Sequence, residues 1–150
     1  MKSSTIPSDL LFVDTWGWLA LADEREPDHA GALAEYRHRK APGGKVTTDF
    51  VLDETITRLF RRVPHEQARL FSQRILDSAA HGFLRLERIG PERFEAAWRL
   101  RLRYDDMPRV SFTDFTSFVV MRELKIRDVL SADAHFTQMN LGFHRLPRLH

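Results

Sequence analysis

Apolar and polar positions along the chain fall into blocks of two periods, one suited to strands and one to helices. "LLFV" (10–13) is a short apolar run ending at Asp14, and predicts a buried strand. "TWGWLALAD" (15–23) and "DHAGALAEYRHRK" (28–40) predict helices, the second closed by "APGG". "KVTT" (45–48) predicts a short strand, and "DFVLDETITRLFRR" (49–62) a helix with Leu52, Ile56, Leu59 and Val63 on one face. Pro64 opens another helix through about Ala80. "FLRLERI" (83–89) is a predicted strand, "PERFEAAWRLRLRY" (91–104) a helix with Pro91 in its first turn, and "DDMPRV" (105–110) a loop. A helix over 111–124 follows, then a strand at "RDVLS" (127–131), a turn at "ADAHF" (132–136) and a last short strand in "GFHRLP" (142–147). Strands alternating with helices predict an α/β sandwich around a mostly parallel sheet. No internal repeat or long linker divides the chain. The expectation is one domain over residues 1–150, with 1–9 a loose lead-in.

The helix that begins in "SFTDFTSFVV" (111–120) breaks the pattern. Asp114, Phe118 and Met121 recur at i, i+4 and i+7 and share one face. Ser117 and Leu124 flank that stripe, and Thr116 and Glu123 lie opposite. A carboxylate therefore sits at the end of the stripe that should be buried. A buried charge must be paired, capped or bound to a metal.

Composition narrows the chemistry. Hydrophobic residues make up 43% and charged residues 29%, as in ordinary globular chains. There is no cysteine, which excludes disulfides and thiolate metal sites. No apolar run reaches the roughly 18 residues of a membrane span, and "MKSSTIPSD" lacks the apolar core of a signal peptide. The expected location is the cytoplasm, with no membrane partner. A net charge of +2 and a pI near 9.3 permit a nucleic-acid partner without arguing for one. The seven histidines show no HExxH spacing.

Ligands of open parallel sheets bind outside the carboxyl ends of the strands. Asp14 directly follows the first predicted strand, and Glu54 lies in the second turn of the helix after "KVTT". From Asp114 to Leu124 a helix descends about 15 Å at 1.5 Å per residue. Residues 127–131 climb back about 17 Å at roughly 3.3 Å each, returning Asp133 to the same edge. Four carboxylates held together repel strongly unless a cation sits among them. Hard oxygen donors without cysteine favour magnesium or manganese over zinc. Each acid has a local alternative. Asp14 can cap the following helix, Ser111 and Asp114 match an S-x-x-D capping box, and Asp133 can be a turn residue. Glu54 can be solvated, and helical period does not choose between it and Asp53.

Together, "FVDTWGWLAL", "VLDET" and "SFTDFTSFVVMRELKIRDVLSADAHF" resemble a PIN domain of the VapC type, the toxins of bacterial toxin–antitoxin pairs. The resemblance runs from about Leu10 to Pro147, and its last segment is the most specific. It implies a PIN-like three-layer sandwich with helices flanking the central sheet. It also implies metal-dependent endoribonuclease activity that leaves a 5′-phosphate and a 3′-hydroxyl. Asp14, Glu54, Asp114 and Asp133 take the positions of the family's catalytic, metal-binding acids, which selects Glu54 over Asp53. Mg2+ or Mn2+ is the implied ion. Thr15 and Thr48 stand where the family often has a hydroxyl near metal or substrate, and Arg58 and Arg61 share a helix side with Glu54. The expected partners are RNA, a small VapB-type antitoxin and a second copy of the chain. The apolar early helices suit an antitoxin groove. Trp16 stands where many relatives are small, and "EPDH" leaves Glu26 and His29 without an inferred role. Arg62, Arg109 and "YRHRK" (36–40) are further candidate cations, the last also readable as a solvated face. Trp16 and Trp18 are candidate stacking surfaces, though Trp18 better suits the core, and His135 can touch a water or phosphate but better suits a structural turn. Two other classes stay open: a processing or DNA-directed nuclease of the same fold, and an idle binding module.

Overall fold

In this computed structural model the described residues are 9–148, so the lead-in expected at 1–9 lies almost wholly outside them. Strand β1 (Leu11–Val13) leads to helices α1 (Thr15–Ala22) and α2 (His29–His38), then to β2 (Lys45–Thr48). Helices α3 (Asp49–Arg62) and α4 (His65–Ala80) precede β3 (Leu84–Glu87). Helices α5 (Pro91–Arg103) and α6 (Phe112–Glu123) precede β4 (Asp128–Leu130), and α7 (His135–Gln138) precedes β5 (His144–Leu146). The strands form one sheet in the order β3-β2-β1-β4-β5, and every pairing is parallel. The mostly parallel sheet expected from sequence is thus wholly parallel.

An all-parallel sheet must be covered on both faces. Leu11, Phe12, Val13, Val46, Val129 and Leu130 accordingly have no exposed surface. The chain builds outward from β1 to β2 and β3, then returns to place β4 on the other side of β1. This reversal makes a switch point between β1 and β4, where Val13 pairs with Leu130. Ligands of open α/β sheets bind outside the carboxyl ends at such a point. Asp14 and Ser131 are the first residues past those two ends.

Local signals start the helices near the switch. The Thr48 hydroxyl accepts from the Val51 N–H at 3.1 Å and caps α3. Ser111 and Asp114 cap α6 reciprocally. Two helix faces differ from expectation. The buried side of α3 is Val51, Leu52, Thr55 and Leu59, and Ile56 is only half-buried. Since α3 packs on both α1 and α6, its buried arc is turned toward Thr55. Thr116, expected opposite the apolar stripe of α6, is fully buried because α5 lies along that helix. Phe118 of α6 meets Phe136 edge-on at 5.2 Å and stacks with Phe143 at 5.7 Å. Burial of Phe136 helps turn the expected turn at 132–136 into the start of α7.

Most of the apolar surface of α1 is buried in the core. Trp18, Leu19, Ala20 and Ala22 of α1 are in the core, and Trp18 donates to the Thr47 hydroxyl at 3.2 Å. The large exposed apolar side chains lie mainly on α3, α4 and α5.

Gly17 sets the approach of α1 to β4. A Cβ there would lie 2.5 Å from the Leu130 carbonyl oxygen. Alanine raises helix propensity by about 1 kcal/mol over glycine, but overpacking costs about 1–3 kcal/mol, and a backbone neighbour cannot move aside. The upper part of that cost then applies, and Gly17→Ala should lower the melting temperature by a few degrees, at about 2–4 °C per kcal/mol of net loss. A higher melting temperature would show that α1 is free to shift.

Candidate active site

Beside the switch point lies a cleft of about 380 Å³ whose lining includes Asp14, Glu54, Asp114 and Asp133. They come from four places in the chain: the end of β1, α3, the first turn of α6 and the segment after β4. Asp14 occupies the N-cap position of α1 but makes no side-chain cap bond. Its Oδ2 instead accepts from the Ser131 hydroxyl at 2.9 Å. The same hydroxyl accepts from the Asp133 N–H at 3.0 Å. One fully buried serine thus fixes two of the acids at once.

The remaining acids are held by short links. Thr15 donates to Glu54 Oε1 at 2.7 Å across the mouth between α1 and α3. Asp114 accepts from the Ser111 N–H at 3.3 Å, so its local capping role is real. Asp133 accepts from the His135 N–H at 2.9 Å and closes a turn. His135 Nδ1 lies 3.3 Å from Asp114 Oδ2 and 3.0 Å from Asp133 Oδ1. Both the local readings of Asp114 and Asp133 and their convergence hold, since each carboxylate has two oxygens.

Burial and mutual repulsion set the electrostatics. Burial, with Asp114 and then Asp133 nearby, raises the Asp14 carboxyl to about 7, against the opposing bond from Ser131. Asp114 is also raised, by burial and by Asp133, while the Ser111 N–H and His135 oppose the shift. Such a site gains most from a cation. Donor atoms of Asp114, Asp133 and His135 all lie within 4.8 Å of one another. This oxygen-rich cluster, with no thiolate in the chain, fits a hard divalent metal.

Not every expected residue reaches the cleft. Thr15 and Arg58 line it, as does Arg109. Asp53 is exposed on α3 and is not among the lining residues. Thr48 is fully buried and spends its hydroxyl on the α3 cap, away from the lining. Arg61 is exposed and also absent from the lining. Arg62 pairs with Asp23 at 3.0 Å and with Glu26 at 2.7 Å, giving Glu26 a structural partner. His29 Nδ1 lies 2.7 Å from the Ala20 carbonyl oxygen. In "YRHRK", Arg39 pairs with Asp128 across the fold, so that run is not simply solvated. Trp16 lines the cleft and Trp18 does not. Sequence reasoning missed Ser131 altogether and, for His135, preferred a structural turn over contact with a water or phosphate. The signal for His135 was its position two residues after Asp133; Ser131 carried none beyond its place at a predicted strand end.

Known proteins resemble the chain in sequence and in fold. The family model described as the PIN domain matches residues 11–141. The 23S rRNA-specific endonuclease VapC20 of Mycobacterium tuberculosis, in strains CDC 1551 / Oshkosh and ATCC 25618 / H37Rv, is 32% identical over 128 residues. That alignment covers 85% of this chain and 92% of the relative. The crystal structure of M. tuberculosis VapC20, described as a Sarcin-Ricin loop cleaving toxin, superposes with a TM-score of 0.72. It shares 32% identity and covers 89% of this chain and 96% of that one.

The Asp14 shift sets a pH dependence. A carboxyl raised from the ordinary range to about 7 in the fold favours the native state in its protonated form. In metal-free protein that contribution is intact below about pH 4 and is lost as pH rises through about 7. Thermal melting in EDTA should fall between pH 5 and pH 8, and Asp14→Asn should flatten the decline. A metal-free melting temperature that rises over this range in wild type and variant alike would place the strain elsewhere.

Proposed function

This chain belongs to the PIN domain family, and on that premise we propose that it is a metal-dependent endoribonuclease, the toxin of a VapBC-type pair. The observation that carries the reading is the meeting of Asp14, Glu54, Asp114 and Asp133, from separate elements, in one cleft at the β1–β4 switch. A single nuclease domain spans residues 1–150. The proposed ion is Mg2+ or Mn2+, held by those four carboxylates. When bound, a divalent cation acidifies water and neutralises charge on the scissile phosphate.

The chain's own groups position the reaction. Ser131 keeps Asp14 and Asp133 in register. Thr15 orients Glu54, and Ser111 with His135 orients Asp114. Fixed geometry of this kind lowers the entropic barrier to reaction. Arg58 and Arg109 border the acids and hold the negative phosphates on either side of the cut. Trp16, at the rim, offers a face for an unpaired base. Hydrolysis leaves a 5′-phosphate and a 3′-hydroxyl. The related toxin acts on 23S rRNA, so a structured ribosomal RNA loop is the substrate class of choice.

Partners follow from the same reading. No helix among the described residues is long and apolar enough to cross a membrane, and the proposed site of action is the cytoplasm. Phe94, Trp98 and Leu102 recur every four residues on α5 and are about half exposed, an apolar stripe suited to a second copy of the chain. A small VapB-type antitoxin neutralises the enzyme by directing a basic side chain into the acidic cleft.

The test is incubation of purified protein with ribosomes and with total RNA, with and without Mg2+, mapping the ends. Metal-dependent cuts with 5′-phosphates are expected. Asp114→Asn should reduce cleavage beyond the ten- to hundredfold typical of residues that only support ligands. Glu54→Gln should be far more damaging than Asp53→Asn. A folded Asp114→Asn protein with near wild-type cleavage would remove the assignment. Cleavage of DNA but not RNA would move the chain to another nuclease class.

A further inference from the structure

A second charged region lies at the far end of α6 from the cleft. Arg122, Lys125, Arg127 and His144 line a cavity of about 530 Å³ beside the amino ends of β4 and β5. Arg122 also borders the adjoining groove between α5 and α6, together with Arg99 and Arg103. Arg99 and Arg103 are one helical turn apart and share a face.

The nearby acids leave these cations largely uncompensated. Glu123 is engaged by Arg93 at 3.1 Å, and Asp128 by Arg39. His144 Nδ1 stands 3.4 Å from Asp128, and Arg99 makes only an exposed contact with Glu95 at 3.7 Å. Arg103, Arg122, Lys125 and Arg127 have no ion-pair partner among the described residues. All four are exposed.

Lys125 adds an independent sign. Its φ is 57°, the left-handed region that favours glycine. The Ile126 N–H reaches the Met121 carbonyl at 2.8 Å, and the Lys125 N–H reaches that of Arg122 at 3.2 Å. This is the Schellman ending of a helix, where glycine is the usual residue. The chain instead places a long cation there, against backbone preference. Attraction to the carbonyls ending α6 accounts for one cation at that spot. It does not account for Arg99 and Arg103 on α5 or for Arg127 beyond the helix.

We propose that this basic groove is a second RNA-binding surface that grips the phosphate backbone of a segment remote from the cut. The proposal rests on the endoribonuclease reading and gives it a basis for substrate choice. From Asp114 to Lys125 the helix runs about 16 Å at 1.5 Å per residue. An RNA must therefore extend well beyond the cleft to touch both. Along the chain, Asp105 and Asp106 interrupt the basic residues between Arg103 and Arg109, so the groove and the cleft are separate contacts. Arginine and lysine without an exposed aromatic face read phosphates rather than bases. The surface thus favours large, structured RNA over short oligonucleotides without selecting a sequence.

The test compares wild type, the triple variant Arg122→Ala/Lys125→Ala/Arg127→Ala, and Lys125→Gly. Each is measured for cleavage as it stands, and for binding with Asp114→Asn added to prevent cutting. The probes are a 23S rRNA stem-loop fragment and a six-nucleotide single strand. On the fragment, the slope of log K against log salt should weaken by about two to three in the triple variant and by about one or less in Lys125→Gly. KM for the fragment should rise with kcat unchanged, and the short strand should be bound and cut as by wild type. Lys125→Gly should melt no lower than wild type while binding the fragment less well, which separates lost binding from lost folding. Cleavage by wild type with an unchanged salt slope in both variants would overturn this surface and leave the nuclease intact. A folded wild type that neither binds nor cuts either probe, with Mg2+ or Mn2+ present, would overturn both.

Discussion

Carboxylates crowded at the edge of a buried sheet repel one another, and the arrangement around them answers that repulsion. Two unit charges 4 Å apart interact by about 4 kcal/mol at the effective dielectric of a protein surface. Asp14 has burial added to its neighbours' charge, which is why its carboxyl is driven to about 7. The fold creates this crowding as a consequence of topology. Reversal of strand order brings the ends of β1 and β4 side by side, and the starts of α3 and α6 close the edge. A cation is the natural complement of such a place.

Hydrogen bonds hold the acids together without discharging them. Ser131 bonds Asp14 and the backbone of Asp133 from within the core. His135 stands between Asp114 and Asp133, and the capping box anchors Asp114 to the first turn of α6. That helix is in turn fixed by the Phe118, Phe136 and Phe143 contacts. Packing energy gained in the interior therefore sustains a strained charge pattern at the surface. This is the form expected of a site that stabilises charge developing in a reaction. Arg58 and Arg109 stand at the border of the cleft rather than among the acids.

Much of this was legible from residue order. Period and turn residues located the five strands and the first six helices to within a few positions, because the elements are bounded by clear breaks; only α7, expected as a turn, escaped. Asp114 announced itself as a charge on an apolar stripe, and element lengths returned Asp133 to the same edge. What could not be read was cooperation between distant side chains. The Ser131–Asp14 bond joins residues 117 apart in sequence, and no local pattern encodes it. Thr48 entered the candidate site through the family resemblance alone, and its hydroxyl caps α3 instead; only tertiary placement separates a cap from a cleft residue. The buried arc of α3 was displaced for a similar reason. Helices α1, α4 and α6 all pack on it, and a single-stripe pattern describes only one side.

The most direct measurement is thermal melting of wild type and Asp114→Asn, each in EDTA and in Mg2+. If a cation relieves the repulsion, the variant melts higher than wild type in EDTA because one charge is gone. Wild type then gains more from Mg2+, by about 2.7 kcal/mol at a hundredfold excess over Kd, and the order reverses. If the variant melts lower in EDTA and both proteins respond equally to Mg2+, Asp114 serves only as a helix cap and the metal site is not where this account places it.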